Sequence, residues 1–224
     1  MTEKVTKTNN KQKIKNIIFD FDGTIANTLE FATTEIYHQF QKHKIQIPRK
    51  EIKRIILEES FISLVKKFEI SKIRLIYTIW RIQKNINKQI EKIKPFPYIK
   101  ETIKTLSINH NIYILTGNSK SNVTKFLKNN HLENEIKNIK ARTSAFDKSN
   151  QIEKFLKKHN LNKSETIYIA DELSDIKACQ KIKLKIITVT YGLNSEKLLQ
   201  TQNPKYIINS PEKIIKVINS FEEK

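Results

Sequence analysis

An apolar run near the start of the chain leads directly into an acidic turn, and it reads Lys15-Asn16-Ile17-Ile18-Phe19-Asp20-Phe21-Asp22-Gly23-Thr24. The run is continuous rather than alternating, which is typical of a strand covered on both faces. Asp22-Gly23 is a turn signal, so the strand is expected to end there. Because side chains alternate along a strand, Asp20 and Asp22 are expected on the same side, where two carboxylates repel unless a cation or a proton compensates them.

Similar apolar runs recur along the chain and predict further buried strands at 111–116, 166–170, 185–190 and 205–208. Segments with apolar residues three or four apart lie between them and predict helices over 98–107, 119–130, 147–160, 173–181, 195–202 and 211–221. Strands that alternate with helices in this way indicate an α/β fold with a doubly wound parallel sheet.

The interval 27–93 differs from the rest because it contains no convincing strand. Apolar positions at helical spacing predict three helices there, and Trp80 is expected in the core that they share. Lys94-Pro95-Phe96-Pro97 then ends the helical pattern. The predicted organisation is a flexible basic tail over 1–13, a core formed by 14–26 with 94–224, and an inserted helical cap over 27–93. Hinges are expected near 25–28 and 93–97.

Composition restricts the class of protein. The 42 Lys and Arg residues against 23 Asp and Glu give a net charge of +19, which suits nucleic-acid binding, attraction of small anions or a simple compositional bias. The lysines are scattered rather than clustered, so we favour the compositional interpretation and expect no nucleic-acid partner. The single Cys excludes an internal disulfide bond. No apolar run reaches the roughly 18–20 residues of a membrane span and no leader pattern is present, so we expect a cytoplasmic protein without membrane contact.

Polar residues that could bind a ligand or take part in a reaction follow the predicted strands. Thr116, Gly117 and Asn118 come after the second strand at the start of a helix, where free N–H groups favour anions. Asp171 and Asp175 follow a later strand, and Lys148 begins the helix before it. Ligands of open α/β sheets bind at the carboxyl ends of the strands, so these residues are expected to converge there.

Taken in order, these motifs resemble those of the haloacid dehalogenase (HAD) superfamily, in its phosphoglycolate-phosphatase-like branch with a helical cap. Asp20-Phe21-Asp22-Gly23-Thr24 resembles the first motif, Thr116 the second, Lys148 the third, and Asp171 with Asp175 the fourth. The C-terminal stretches Tyr191-Gly192-Leu193-Asn194-Ser195 and Asn203-Pro204-Lys205-Tyr206-Ile207-Ile208 are also similar to that branch. The resemblance covers roughly residues 15–220.

The resemblance implies a Mg²⁺-dependent phosphatase for a small anionic phosphomonoester, with phosphoglycolate as a candidate. Asp20 would be the nucleophile that forms an aspartyl-phosphate, and Asp22 the general acid and base. Mg²⁺ would be bound by the Asp20 and Asp171 side chains and the Asp22 carbonyl, and Asp175 would orient Lys148 or a metal-bound water. The remaining implied contacts, to the phosphoryl group, come from Thr116, Gly117, Asn118, Lys148 and Gly23.

Alternatives remain at this point. The same chemistry serves a phosphomutase, in which a sugar hydroxyl rather than water accepts the phosphoryl group, and a basic binding protein on the same core needs no turnover. Ala170 stands where the family pattern usually has Gly, and Glu172 is expected to face solvent. Cys179 is expected in the core, the histidines at the surface, and the quaternary state as monomer or homodimer. Four cap residues are candidates for binding a second anionic group, namely Arg49, Arg54, Arg74 and Arg81.

Overall fold

A six-stranded parallel sheet forms the centre of the computed structural model, which describes residues 13–42, 44–59, 77, 80–81, 84–85, 88–143 and 147–221. Its strands are β1 (Asn16–Phe19), β2 (Asn111–Leu115), β3 (Ile136–Lys140), β4 (Thr166–Ala170), β5 (Lys185–Val189) and β6 (Tyr206–Ile208). They lie in the order β3-β2-β1-β4-β5-β6, and each neighbouring pair is parallel. The predicted α/β fold is confirmed.

Eight α-helices have bounds within the described residues. They are α1 (Leu29–Lys42), α2 (Arg49–Glu59), α3 (Ile99–Ser107), α4 (Lys120–Asn129), α5 (Lys148–Lys158), α6 (Leu173–Lys181), α7 (Glu196–Gln200) and α8 (Glu212–Asn219). Those after residue 94 agree with the predicted helices to within a few residues at each end, which is the usual uncertainty of helix termini.

The sheet is covered on both faces, because neighbouring residues of each strand enter different apolar clusters. Ile17 and Phe19 of β1 pack in one cluster with α3, α4 and α8, whereas Ile18 packs in a second cluster with α5 and α6. The β-branched isoleucines suit such a pleated and fully buried surface. The doubly wound arrangement predicted from the continuous apolar runs is therefore confirmed, and Cys179 lies buried in the second cluster as expected.

Strand β3 was absent from the sequence-based prediction. Its residues Ile-Lys-Asn-Ile-Lys are half-buried at the isoleucines and exposed elsewhere, because β3 lies at the edge of the sheet beside β2. Lysines on an edge strand discourage pairing with another chain. A short and mostly polar edge strand lacks the apolar run by which the other strands were recognised.

Helices α1 and α2 lie in the interval 27–93, and a short 3₁₀ helix follows at Ile90–Lys92. Seven further described residues there are α-helical: Tyr77, Trp80, Arg81, Lys84, Asn85, Lys88 and Gln89. The chain enters and leaves this interval side by side, because Ala26 pairs antiparallel with Pro95 and Asn27 N–H donates to the Lys94 carbonyl at 3.0 Å. The remainder of the predicted second and third helices lies outside the described residues.

The burial of two residues corrects the prediction. Trp80 was expected in a core but is 51% exposed, with the Tyr77 ring 6.0 Å away and the Lys84 ammonium over its face. His110 was expected at the surface but is buried, and its Nδ1 lies 3.0 Å from the Ile14 carbonyl oxygen. In the part of the chain that is described, every helix is too short or too polar to cross a bilayer.

Candidate active site

The carboxyl ends of three neighbouring strands bring the predicted site residues to one edge of the sheet. Phe19 of β1 is in register with both Ile114 of β2 and Ile169 of β4. Asp20, Thr116 and Asp171 follow these strands within one or two residues, and all three are buried. This edge is the crevice at which strand order reverses in a doubly wound sheet.

Lys148 connects two of the strand ends. It is the first residue of α5, and its Nζ lies 2.6 Å from Asp175 Oδ2 and 3.4 Å from Asp20 Oδ2. Burial disfavours the charged ammonium, but the carboxylates of Asp175 and Asp20 outweigh it and hold the pKa of Lys148 well above its ordinary value. Lys148 is therefore a fixed positive charge beside Asp20, and Asp175 holds it in place.

The carboxylates at this edge carry more negative charge than Lys148 compensates. Burial raises the pKa of Asp20 even though the Lys148 charge opposes the shift. Burial also raises the pKa of Asp171, to which the negative charges of Glu172 and Asp20 add. Such shifts indicate a place where an additional cation or a proton is favourable.

Asp22 has a different partner from the other carboxylates. Both of its oxygens accept hydrogen bonds from Asn118 Nδ2, at 3.1 and 3.2 Å. The Asn118 side-chain oxygen accepts from Ser119 N–H and from Asn122 Nδ2, which fixes the amide with its donors toward Asp22. Burial, followed by the charge of Asp20, raises the pKa of Asp22 to about 7. Asn118 was predicted to bind phosphate, whereas its side-chain amide contacts Asp22.

Asp171 is held by close packing of backbone and side chains. Its Oδ1 accepts from Thr24 Oγ1 at 2.6 Å, and its Oδ2 accepts from Leu193 N–H at 2.7 Å. Gly23 has a φ of +78°, and a Cβ there would lie 2.1 Å from Asp171 Oδ2. A Cβ on Gly192 would lie 2.4 Å from the same oxygen. Both glycines are therefore required for Asp171 to occupy this position.

The carboxyl end of β2 is followed by the Thr116 hydroxyl and by the start of α4. Thr116 Oγ1 accepts from Asn118 N–H at 3.0 Å, which leaves the hydroxyl hydrogen able to donate. Ser119 caps α4, and its Oγ accepts from Asn122 N–H at 3.2 Å. Gly117 has more space than the other two glycines, because a Cβ there would meet only the Thr143 carbonyl, at 3.4 Å.

The residues fit a hard divalent cation by charge and by donor type. Carboxylate and carbonyl oxygens are the ligands that Mg²⁺ prefers, and Asp20 and Asp171 lack sufficient compensating charge. Within the described ranges, no three acidic, histidine or cysteine side chains converge as a metal-binding cluster. The predicted ligand set differs from such a cluster, because its third ligand is the Asp22 carbonyl.

Two of the four candidate anion-binding arginines are paired with acidic residues in the structure. Arg49 contacts Glu30, and Arg54 contacts both Glu51 and Glu58, so these two guanidinium groups already have acidic partners. Arg81 is half-buried, and in the described structure its Nε has no hydrogen-bond partner. Arg74 lies outside the described residues.

Glu172 borders the site and does not simply face solvent as predicted. Its side chain is 33% exposed, and its Oε2 lies 4.0 Å from Lys148 Nζ. Sequence reasoning also missed Thr24 and Asn122 as supports of Asp171 and Asn118. Thr24 stands within the first motif, so its position gave a signal, whereas Asn122 is an ordinary polar residue in a helix.

Known proteins are similar to this chain over most of its length. Residues 17–189 match the family model of the haloacid dehalogenase-like hydrolases. A phosphoglycolate phosphatase of Synechococcus elongatus is 22% identical over 207 residues, 92% of this chain and 97% of that protein. The pyrophosphatase PpaX of Bacillus mycoides is 21% identical over 217 residues, 92% of this chain and 98% of that protein.

Solved structures show the same fold. The crystal structure of a predicted phosphatase from Clostridium acetobutylicum has a TM-score of 0.81 at 20% identity, covering 93% of this chain and 100% of that chain. A hydrolase of the haloacid dehalogenase-like family from Streptococcus pneumoniae has a TM-score of 0.75 at 22% identity, covering 91% and 98%. The family model spans more than half of the sequence, so the chain belongs to the haloacid dehalogenase-like hydrolase family.

Proposed function

We propose that this hydrolase is a Mg²⁺-dependent phosphatase that transfers the phosphoryl group of a small anionic phosphomonoester to Asp20 and then to water. The observation that carries the proposal is that Asp20 lies 3.4 Å from the Lys148 ammonium and near enough to Asp22 and Asp171 for its charge to raise the pKa of both. The names of the phosphoglycolate phosphatase and pyrophosphatase relatives support the substrate class.

Asp20 is the nucleophile of the proposed first step. One of its carboxylate oxygens forms a bond to phosphorus while the bond from phosphorus to the leaving oxygen breaks. Phe21 N–H donates to Asp20 Oδ1 at 2.6 Å, and this contact fixes the carboxylate so that Oδ2 faces Lys148. An acyl phosphate on Asp20 is then open to attack by water, which returns the carboxylate and releases inorganic phosphate.

Asp22 moves the proton in both proposed steps. A pKa near 7 lets the carboxyl group give a proton to the leaving oxygen and later take one from the attacking water. The Asn118 amide holds this carboxyl in one orientation. Such a pair of roles suits an alcohol leaving group, which needs the proton, and favours phosphate esters over halogenated acids.

Lys148 and the Thr116 hydroxyl are proposed to bind the phosphoryl oxygens. Both are buried and fixed by neighbours, so little reorganisation is needed as charge develops. When bound, Mg²⁺ supplies positive charge that reduces the repulsion between the carboxylates and the phosphate. Asp20, Asp171 and the Asp22 carbonyl are the groups proposed to hold it.

The interval 27–93 is proposed to act as a cap over this edge. The antiparallel contact of Ala26 with Pro95 places both connections next to the first motif. A cap in this position excludes water and contacts the leaving group, so it selects the substrate.

The test is a phosphate-release assay on a phosphomonoester panel that includes 2-phosphoglycolate and inorganic pyrophosphate, with Mg²⁺ or with a chelator. The wild-type chain is expected to release phosphate with Mg²⁺ only, and Asp20→Asn to be inactive. Asp147→Asn is the matched control, because the hydrogen bond that the structure shows for the Asp147 side chain is with Asn150. Acid-quenched wild type should carry phosphate on Asp20.

Several outcomes would contradict the proposal. Phosphate release that persists in Asp20→Asn would show that Asp20 is not the nucleophile. Inactivity of the wild type on every ester would favour the non-catalytic binding protein. Transfer to a sugar hydroxyl in place of water would identify a phosphomutase. Retention on nucleic acid at moderate salt would assign a function to the positive charge.

A further inference from the structure

A short loop after β5 contacts both α2 and the carboxylate of Asp171. This loop, residues 191–195, is called the latch loop below. Leu193 N–H donates to Asp171 Oδ2 at 2.7 Å, and Tyr191 Oη donates to the Thr24 carbonyl at 3.2 Å. Its last two residues, Asn194 and Ser195, reach the other way, toward α2.

The contacts with α2 are made to two of its backbone carbonyl groups, close to Glu59, where the described part of this helix stops. Asn194 Nδ2 donates to the Ile56 carbonyl at 2.9 Å, and Ser195 N–H donates to the Leu57 carbonyl at 2.7 Å. The latch loop therefore holds the last described turn of α2 from another part of the chain.

Asn194 also holds the opposite side of the loop. Its side-chain oxygen accepts from Leu173 N–H at 2.9 Å, at the start of α6, two residues after Asp171. Asn194 is only 4% exposed, so neither bond is readily replaced by water. One buried amide thus joins the end of α2 to the segment that carries Asp171.

Helix α2 also packs against the core through apolar side chains. Ile52, Ile55 and Ile56 of α2 are buried in the same cluster as Ile17 and Phe19 of β1. Apolar contacts are not directional, so they hold α2 near the core without fixing its position along the surface. The two hydrogen bonds of the latch loop supply that missing direction.

We propose that Asn194 is a positioning residue that couples the docking of α2 to the placement of Asp171. The proposal rests on the phosphatase function only for its kinetic consequence. When α2 is docked, Asn194 holds Leu173 and the latch loop holds Asp171. When α2 separates from the core, the latch loop loses its anchor and Asp171 loses a fixed donor.

The test is hydrogen–deuterium exchange of the full chain, followed by mass spectrometry, for the wild type and Asn194→Ala. The variant loses one buried hydrogen bond at each place, which predicts exchange about tenfold faster in α2 and around residues 171–174. Strands β1 and β2 should exchange as in the wild type. Ser195→Ala is the matched control, because it removes the bond from Leu198 N–H to Ser195 Oγ but keeps the backbone donor to Leu57. It should accelerate exchange in α7 and leave α2 unchanged.

Asn194→Asp separates the two bonds of Asn194. It keeps an oxygen for Leu173 N–H and loses the donor to Ile56, so α2 should exchange faster than residues 171–174. This variant also decides the matter if Asn194→Ala does not fold. Unchanged exchange in α2, or equal acceleration throughout the sheet, would overturn the latch.

Kinetics test the coupling to Asp171 separately. In Asn194→Ala, kcat should fall by about tenfold or more, while KM changes less than about threefold, because substrate still binds but Asp171 is displaced. Faster exchange in α2 with a wild-type kcat would reject the coupling. If the wild type hydrolyses no ester, the proposed function fails, and the exchange measurements still decide the latch.

Discussion

Replacing Gly192 with alanine tests how tightly the latch loop packs against the first motif. A Cβ on Gly192 would lie 2.3 Å from the Gly23 carbonyl oxygen and 2.4 Å from the Asp171 Cβ and Oδ2. Ordinary contacts begin near 3.4 Å, so the loop and the motif must separate by about 1 Å. Much of the obstruction is backbone and buried side chain, which yield less easily than the end of a flexible side chain.

The expected cost follows from that displacement. Overpacking of this kind destabilises by about 1–3 kcal/mol. For a chain of this length, that corresponds to a melting temperature lower by about 2–12 °C. Displacing Asp171 by about 1 Å is expected to reduce kcat/KM by about 100-fold.

Gly117→Ala is the matched control for stability, because a Cβ there meets a single neighbour at 3.4 Å. It should remain within about 1 kcal/mol of the wild type. Urea unfolding monitored by circular dichroism measures the stability of both variants, and phosphate release measures the activity of Gly192→Ala. A Gly192→Ala variant as stable and as active as the wild type would refute the close packing around Asp171.

Three further changes address individual contacts. Lys148→Met removes the buried cation that contacts Asp20 and Asp175. It should lower the free energy of unfolding in urea by about 3–5 kcal/mol, because one partner of a buried pair is lost. An unchanged unfolding midpoint would contradict this. Thr24→Val keeps the shape of the side chain but removes the donor to Asp171, so we expect the free energy of unfolding to fall by about 1–3 kcal/mol in the same assay. An unchanged free energy of unfolding would show that this hydrogen bond is dispensable. Without Mg²⁺, thermal stability should fall as pH rises from the ordinary carboxyl pKa of 3.8 to about 7, because the pKa of Asp22 is raised and the folded chain binds the proton more tightly. Mg²⁺ should reduce this fall. A stability that rises over the same pH range would contradict the prediction.

The sequence allowed prediction of the fold and of several residues that the structure brings to one edge of the sheet, because both leave local signals. A continuous apolar run that ends in Asp22-Gly23 marks a buried strand and its turn without knowledge of any neighbour. Strand β3 was not predicted, because its position at the edge of the sheet permits a polar sequence. The exposure of Trp80 depends on what packs beside it, which periodicity does not reveal.

Contacts between distant segments could not be predicted. Asn118 and Asp22 are 96 residues apart, so their contact leaves no local signal, and phosphate binding by Asn118 stays a prediction. Asn194 and Ile56 are 138 residues apart, and a backbone carbonyl has no residue type by which to recognise it. Arg49 and Arg54 were plausible anion ligands until the structure showed their acidic neighbours.

The chain enters and leaves the interval 27–93, called the insertion below, at adjacent positions, as the pairing of Ala26 with Pro95 shows. This arrangement has an evolutionary consequence. A segment whose two ends meet can lengthen, shorten or change sequence without shifting the register of the six strands. Under the proposed cap function, selection for a new leaving group would therefore act on this interval while the strand ends proposed to carry the chemistry stay as they are. The same geometry makes the insertion a natural unit to exchange between relatives when their specificities are compared.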